Sequence, residues 1–103
     1  MNVGKGKRRR IIERLSKGFS GRKRRKFAVS KVKEALRCFK SEDIDIELSL
    51  LESHEVIEKP SFRSVRLVRE FSLDALTFLQ QKCGYDGNEI VALENKIALL
   101  SEE

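Results

Sequence analysis

The sequence contains few of the residues from which metal sites and catalytic sites are usually built. Its 103 residues include no tryptophan, one proline, one histidine and two cysteines. Cys38 and Cys83 lack metal-ligand spacing and lie in segments with helical patterns, so we expect two buried thiols and neither a disulfide framework nor a zinc site. His54 stands outside any cluster of candidate ligands, which indicates a surface residue rather than a ligand or a base.

Long hydrophobic runs are also missing. No stretch approaches the roughly 18 apolar residues that a membrane span requires, and the N-terminus lacks the apolar segment of a secretory signal. The sequence has no Gly-rich phosphate loop and no Ser/His/Asp or Cys/His pairing at a recognisable spacing. We therefore expect no enzyme activity, no cofactor, no metal, no small-molecule substrate and no membrane partner.

What the sequence does contain is an uneven distribution of charge. The first forty residues carry sixteen Lys or Arg and two acidic residues, whereas the other sixty-three carry six and fourteen. This division predicts that the basic end lies against a polyanion and that the remainder stays away from it. The carboxylates between residues 42 and 58 are interpreted as a solvated charge run. The basic N-terminus also suits a targeting signal, as a second use of the same residues.

Periodicity predicts helices in the basic part. Apolar residues at helical spacing predict a basic helix over residues 7–17. Gly18 and Gly21 each cost about 1 kcal/mol in a helix interior relative to alanine, so they predict a break. A second basic helix is predicted over residues 22–40, because its apolar stripe repeats every three or four residues. The five consecutive cations at 22–26 are expected to be disordered until bound.

The secondary structure of the acidic stretch is ambiguous, whereas that of the C-terminal part is clearer. Between residues 41 and 58, apolar residues alternate with polar ones, so a short strand, an extended linker and a poor helix all remain open. Pro60 can begin a helix, and we predict one over 62–69. Further helices are predicted from Leu73 to a stop at Gly84, and over 88–100.

These patterns predict a mainly α fold in which N-terminal extended basic helices precede a small C-terminal helical bundle. We expect a basic RNA-binding arm at 1–40, an acidic linker at 41–60 and a small helical domain at 61–103. If the arm buries nothing, only about sixty residues form a core, and such a small module is marginally stable alone. The fold is then expected to depend on a partner.

Two short stretches resemble a known family. Residues 17–23, Lys-Gly-Phe-Ser-Gly-Arg-Lys, are followed by Ala28, Val32 and Ala35-Leu36. This arrangement resembles the Lys-Gly-Phe-Arg-Gly-Arg-Arg and Ala-x-x-x-Val-x-x-Ala-Leu signature of the L-twenty family, the bacterial-type large ribosomal subunit protein twenty. Residues 62–69 resemble the family's Phe-Arg-x-Leu-Trp-Ile-x-Arg, although Arg66 replaces the tryptophan.

The resemblance implies a non-catalytic constituent of the large ribosomal subunit that supports subunit assembly. Its partners would be large-subunit ribosomal RNA and neighbouring large-subunit proteins. Arginine suits phosphates and splayed bases better than lysine does. The RNA-binding residues that the resemblance and the charge pattern indicate are Lys7, Arg8, Arg9, Arg10, Arg14, Lys17, Gly18, Phe19, Gly21, Arg22, Lys23, Arg24, Arg25, Lys26, Lys31 and Arg37, with Arg63 and Arg69 as secondary candidates.

The chain also departs from the family pattern. Between residues 40 and 60 the family has a basic helical stretch, whereas this chain is acidic. Such departures favour a reduced organellar relative, so we expect a mitochondrial ribosome, with a plastid or bacterial cytoplasmic ribosome as the alternative. One alternative is a DNA-binding module whose helices around Gly84 form a helix-turn-helix, which the acidic Glu89 and Glu94 and the single Lys96 of its second helix disfavour. Another is a binder of membrane surfaces or of acidic partners, which the narrow apolar strip of the first helix disfavours.

Overall fold

A computed structural model describes residues 4–16 and 27–99. Most of the described residues are helical, and this confirms the mainly α class, with a small three-stranded sheet that the sequence patterns did not predict. The elements, in chain order, are α1 (Gly4–Ser16), β1 (Phe27–Ala28), α2 (Val29–Ala35), α3 (Ser41–Ser53), β2 (Ile57–Ser61), β3 (Ser64–Leu67), α4 (Leu73–Lys82) and α5 (Gly87–Leu99).

The sheet is antiparallel, with strand order β1-β3-β2. Phe27 lies opposite Val65, and Ile57 lies opposite Leu67. The predicted helix over 62–69 is therefore wrong, because these residues form the turn and second strand of a hairpin. Val65 and Leu67 are buried while Arg66 between them is half-buried, which is the alternation of a strand. Pro60 lies in the edge strand β2, where its missing N–H is tolerated.

The second basic helix is much shorter than predicted. The structure replaces the expected helix over 22–40 with β1, the seven-residue α2 and a turn at 36–40, while residues 22–26 lie outside the described part. Pairing of Phe27 with Val65 holds the chain extended before α2. After α2, the Phe39 N–H donates to the Leu36 carbonyl, which turns the chain towards α3.

The acidic stretch that the sequence left open is a helix over most of its length. Ile44, Leu48 and Leu51 are buried at spacings of four and three residues, which is one face of α3. Ile46 is 58% exposed, so the apparent strand-like alternation combined residues from two helix faces. Two acidic residues in the first turn, Glu42 and Asp43, interact favourably with the helix N-terminus.

The last two helices confirm the predictions for this region. α4 begins after Ser72, whose hydroxyl accepts a hydrogen bond from the Ala75 N–H at 3.2 Å. It is followed by Gly84, whose φ of 75° is a conformation that glycine adopts without strain. α5 begins at Gly87, one residue before the predicted start.

One hydrophobic cluster joins all three sequence ranges that we expected to behave separately. It includes Ile11, Ile12 and Leu15 from the basic α1, Ile44 and Leu51 from the acidic α3, and Leu79, Leu93 and Ile97 from the C-terminal helices. The apolar strip of α1 is thus a full part of the core, not one face of an extended arm. The expected linker at 41–60 also contributes to this core. Cys83 is buried as predicted, but Cys38 is exposed, contrary to the prediction.

The first six elements have a distinctive order. A helix, a strand, two helices and a hairpin follow one another, and β3 lies between β1 and β2. The pair α2 and α3 consists of two successive helices joined by a short turn, which is the general arrangement of a helix-turn-helix unit. The sequence-based alternative expects such a unit around Gly84, at α4 and α5, instead.

Candidate nucleic-acid interface

A groove lies where the start of α2, the middle of α3 and the β2–β3 hairpin meet. We call it the hairpin groove; its volume is about 720 Å³. The Val29 N–H donates to the Arg63 carbonyl at 2.8 Å, which fixes the hairpin turn against α2. The residues that line the groove are Ala28, Val29, Ser30, Asp45, Leu48, Ser49, Lys59, Phe62 and Arg63.

Lysines from other elements neutralise the carboxylates along the sides of α3. Lys33 Nζ lies 2.8 Å from Asp45 at the groove. Lys59 Nζ lies 3.9 Å from a Glu52 oxygen, and Lys7 Nζ lies 3.9 Å from an Asp43 oxygen on the opposite side. The acidic appearance of α3 in the sequence therefore overstates the negative potential of this surface.

The exposed face of α3 carries three carboxylates. Glu42, Asp45, Ser49 and Glu52 are exposed at spacings of three and four residues, so they share one face, with the exposed Ile46 beside them. Asp45 and Glu52 each lie near a lysine of another element. Arginine, lysine, asparagine and glutamine, which read guanine or adenine edges by paired hydrogen bonds, do not occur on α3. Contacts between α3 and a nucleic acid would therefore depend on the shape and the sugar-phosphate backbone of the nucleic acid more than on its base sequence.

Two of the predicted RNA-binding arginines are engaged inside the protein. Arg8 is 9% exposed; its Nε lies 2.6 Å from Glu47 Oε1, and a second guanidinium nitrogen donates to the Lys82 carbonyl at 2.6 Å. Arg9 donates to the Gly84 carbonyl at 2.7 Å and to a Glu89 oxygen at 2.6 Å. These cations tie α1 to α3 and to the C-terminal helices, so we leave both out of the proposed interface.

The Arg9 contacts also change the ionisation of the groups around it. The hydrogen bond with Glu89 raises the pKa of Arg9 and, from the other side, lowers the pKa of the Glu89 carboxyl. The Arg9 guanidinium carbon lies 4.3 Å from the centroid of the Tyr85 ring. Burial raises the pKa of Tyr85 to about 12, so this phenol stays protonated at neutral pH.

The other predicted site residues fall into three groups. Lys7 is half-buried near Asp43, and Arg14 is half-buried with its guanidinium carbon 5.5 Å from the Phe27 ring centroid. The exposed ones are Arg10, Lys31, Arg37, Arg63 and Arg69. The remaining ones, Lys17, Gly18, Phe19, Gly21, Arg22, Lys23, Arg24, Arg25 and Lys26, lie outside the described residues.

Sequence reasoning missed Phe62 and Lys59 as site candidates. Phe62 is 82% exposed in the hairpin turn, and Lys59 lies in β2 at the groove. The available signal was the short Ser-Phe-Arg-Ser stretch between two runs that contain β-branched residues, which is compatible with a hairpin. The assumed helix over 62–69 concealed it.

Residues 4–16 and 27–99 contain no group of three or more His, Cys, Asp or Glu side chains that could hold a metal ion. Among the helices described, none has the length and apolar character needed to cross a membrane. A scan against models of known protein families found no match for this chain, and comparisons with curated proteins and with solved structures found none either.

Proposed function

We propose that this protein is a non-catalytic RNA-binding constituent of the large ribosomal subunit and that it holds the phosphate backbone through cations around the hairpin groove. The observation that carries the proposal is the charge arrangement. Lys59 and Arg63 line the groove, and lysines lie close to three of the carboxylates of α3. Lys31, which follows the groove residue Ser30 in the sequence, and Arg37 are exposed. Exposed cations of this kind attract a polyanion.

The basic run lies next to these residues in the sequence. Residues 22–26 are five consecutive cations, and they end immediately before β1, whose Ala28 lines the hairpin groove. Each cation placed on a phosphate releases condensed counterion, so affinity is expected to fall steeply with salt. Ribosomal RNA is preferred as the polyanion because residues 17–23 and the Ala28, Val32 and Leu36 positions resemble the L-twenty family.

The lack of Arg, Lys, Asn and Gln side chains on α3 supports recognition of the nucleic-acid backbone rather than of base edges. Structured RNA is recognised largely by shape and by contacts to phosphate and 2′-hydroxyl groups, since a side chain cannot read the narrow major groove of an A-form helix. Within this proposal the partners are large-subunit ribosomal RNA and neighbouring large-subunit proteins, the role is in subunit assembly, and the location is an organellar ribosome, mitochondrial in the first place.

Duplex DNA is a second candidate, and the succession of α2 and α3 favours it. In a helix-turn-helix unit the second helix, here α3, would enter the major groove. The exposed face of α3 offers carboxylates and the Ser49 hydroxyl for base contacts. Sequence-specific binding to DNA with a preference over RNA would identify this second function.

Binding measurements on the full chain test the proposal. Fluorescence anisotropy against a large-subunit ribosomal RNA fragment and against a DNA duplex of equal length, over a series of salt concentrations, should show tighter binding to the RNA. Replacing Lys31 and Arg37 by alanine should weaken RNA binding. It should also lower the slope of log affinity against log salt by about two, since each of the two cations neutralises one phosphate.

Lys82→Ala with Lys96→Ala is the matched control, because it also removes two positive charges from exposed positions. This pair should keep nearly the wild-type affinity and slope. Equal losses in the two double variants would show that net charge alone governs binding and would refute the proposed surface. Gradient sedimentation provides a second measurement: the protein should travel with large ribosomal subunits at low salt and leave them at high salt.

A further inference from the structure

Phe62 is the most exposed large apolar side chain in the part of the chain that the structure describes, with 82% of its surface accessible. It lies in the two-residue turn of the β2–β3 hairpin, next to Arg63. The Arg63 guanidinium carbon is 5.3 Å from the centroid of the Phe62 ring, so a cation lies beside an open aromatic face. Aromatic rings paired with arginine are the usual platforms for unpaired bases.

The backbone beneath this ring is held in place. The Val29 N–H donates to the Arg63 carbonyl at 2.8 Å, and the Ser61 and Ser64 hydroxyls share a hydrogen bond of 2.8 Å across the turn. Ser64 is buried and Val65 follows it in the core. Because the turn is already ordered, binding a ligand there loses little conformational entropy, which favours a preformed contact site.

The groove beside the ring has a volume of about 720 Å³ and combines apolar with polar lining residues. Ser30 and Ser49 supply hydroxyls, and Arg63 and Lys59 supply positive charge, with Lys59 Nζ also 3.9 Å from a Glu52 oxygen. The groove carboxylate of Asp45 is paired with Lys33. Pockets for small ligands commonly measure about 300–1,000 Å³, so one nucleotide fits this space. If Phe62 were an anchor for a protein partner, we would expect further exposed apolar residues around it. Leu48, an apolar residue of the groove wall, is instead buried.

We infer that the hairpin turn binds one unpaired base of the target RNA, which stacks on Phe62 while Arg63 and Lys59 contact the adjoining phosphates. The inference rests on the proposed RNA-binding function and specifies the structure that the protein selects, namely a bulged or looped nucleotide next to a helical segment. Stacking is tolerant of base identity because every base has an aromatic face. The site therefore selects RNA by structure and not by sequence.

The experiment compares an RNA duplex that carries one unpaired adenosine with the same duplex fully paired. The wild-type chain should bind the bulged RNA more tightly. Phe62→Ala should lose about tenfold in affinity for the bulged RNA and little for the paired RNA. The salt slope should stay unchanged, since phenylalanine contacts no phosphate. Phe62→Tyr should retain the preference, and Phe62→Leu, which is apolar without a ring, should lose it.

Leu73→Ala is the matched control, since Leu73 is 80% exposed on α4, which does not line the groove. Equal losses on both RNAs with Phe62→Ala, or a Phe62→Leu variant that behaves as wild type, would overturn the stacking inference in favour of a general apolar contact such as one with a protein. Wild-type binding to both RNAs without preference would overturn it while RNA binding stands. Absence of binding to either RNA would overturn both proposals.

Discussion

Arg8 of α1 and Glu47 of α3 form a buried ion pair, with Arg8 Nε 2.6 Å from Glu47 Oε1 and side-chain exposures of 11% and 10%. Arg8 also donates to the Lys82 carbonyl at the end of α4 and lies over the Phe78 ring, 5.7 Å from its centroid. One guanidinium therefore holds three helices together. A cation that the sequence places in a basic tract is thus a structural element of the core.

We expect that Arg8→Ala lowers the free energy of unfolding by about 3–5 kcal/mol, because it leaves Glu47 buried without its counter-charge. Replacing both partners, Arg8→Met with Glu47→Leu, should restore much of the loss, since the apolar pair leaves no uncompensated charge. Urea denaturation followed by circular dichroism measures both effects. Arg10→Ala, at an exposed position of the same helix, should change stability by less than about 0.5 kcal/mol. A similarly small change in stability for Arg8→Ala would contradict the structural role of the Arg8–Glu47 ion pair.

The contact of Arg9 with Glu89 predicts a pH dependence of stability. The Arg9 hydrogen bond, followed by that of the Asp86 N–H, lowers the pKa of Glu89 below its ordinary value of 4.5. A carboxyl with a lowered folded-state pKa stabilises the protein above its unfolded-state pKa and loses that contribution as the pH falls through the folded-state value. Glu89→Gln should therefore reduce stability at neutral pH, and its difference from wild type should shrink in acid.

Urea midpoints measured at a series of pH values test this expectation. Glu94→Gln is the control, because it removes another carboxylate from the same helix α5. A Glu89→Gln variant whose difference from wild type is constant from neutral pH into acid would be inconsistent with the Arg9 contact.

Local sequence signals were sufficient for the C-terminal helices. Ser72 marks the beginning of α4, and Gly84 marks the turn after it; each acts within a few residues of its own position. α3 was not decidable, since Ile44 and Ile46 alternate in the sequence although only Ile44 is buried. The hairpin was missed because its second strand pairs not only with the neighbouring β2 but also with Phe27, far away along the chain.

In the candidate site, too, some features follow from local sequence and others depend on residues far away along the chain. The positive charge of the N-terminal part follows from composition, but the inward position of Arg8 follows from Glu47 and Lys82, which lie 39 and 74 residues away. Likewise, the lysines that neutralise α3 come from α1, α2 and β2. The residue pattern of a single helix cannot indicate ion-pair partners that come from other elements. The exposure of Phe62 depends on the hairpin and could be predicted only after the hairpin itself.

The two thiols should differ strongly in reactivity. Cys38 is exposed, whereas Cys83 is fully buried, and burial raises the pKa of Cys83 to about 11. Since the thiolate is the reacting form, Cys83 has little of it near neutral pH. A thiol reagent such as a maleimide should modify one cysteine of the native protein quickly and the second only in denaturant. Cys38→Ser should abolish the fast reaction, and a fast reaction that persists in this variant would contradict the burial of Cys83.

Gly84 should tolerate substitution less well than Gly87. At Gly84 the φ of 75° strains any other residue by about 1 kcal/mol or more, and an added Cβ would lie 2.9 Å from the Lys5 side chain. The Gly84 carbonyl also accepts the Arg9 hydrogen bond, so a shift there disturbs the link between α1 and the C-terminal helices.

We expect Gly84→Ala to destabilise the protein by about 1–2 kcal/mol and Gly84→Asn to destabilise it less, since asparagine adopts positive φ more readily. Gly87 begins α5, and a Cβ added there would have no atom within 4 Å, so Gly87→Ala should leave stability unchanged within about 0.5 kcal/mol. Urea denaturation of the three variants ranks these effects. Equal destabilisation by Gly84→Ala and Gly87→Ala would mean that the backbone conformation at Gly84 does not determine the turn, and the position of α5 relative to α1 would then have to depend on the shared core and on the Arg9 contacts.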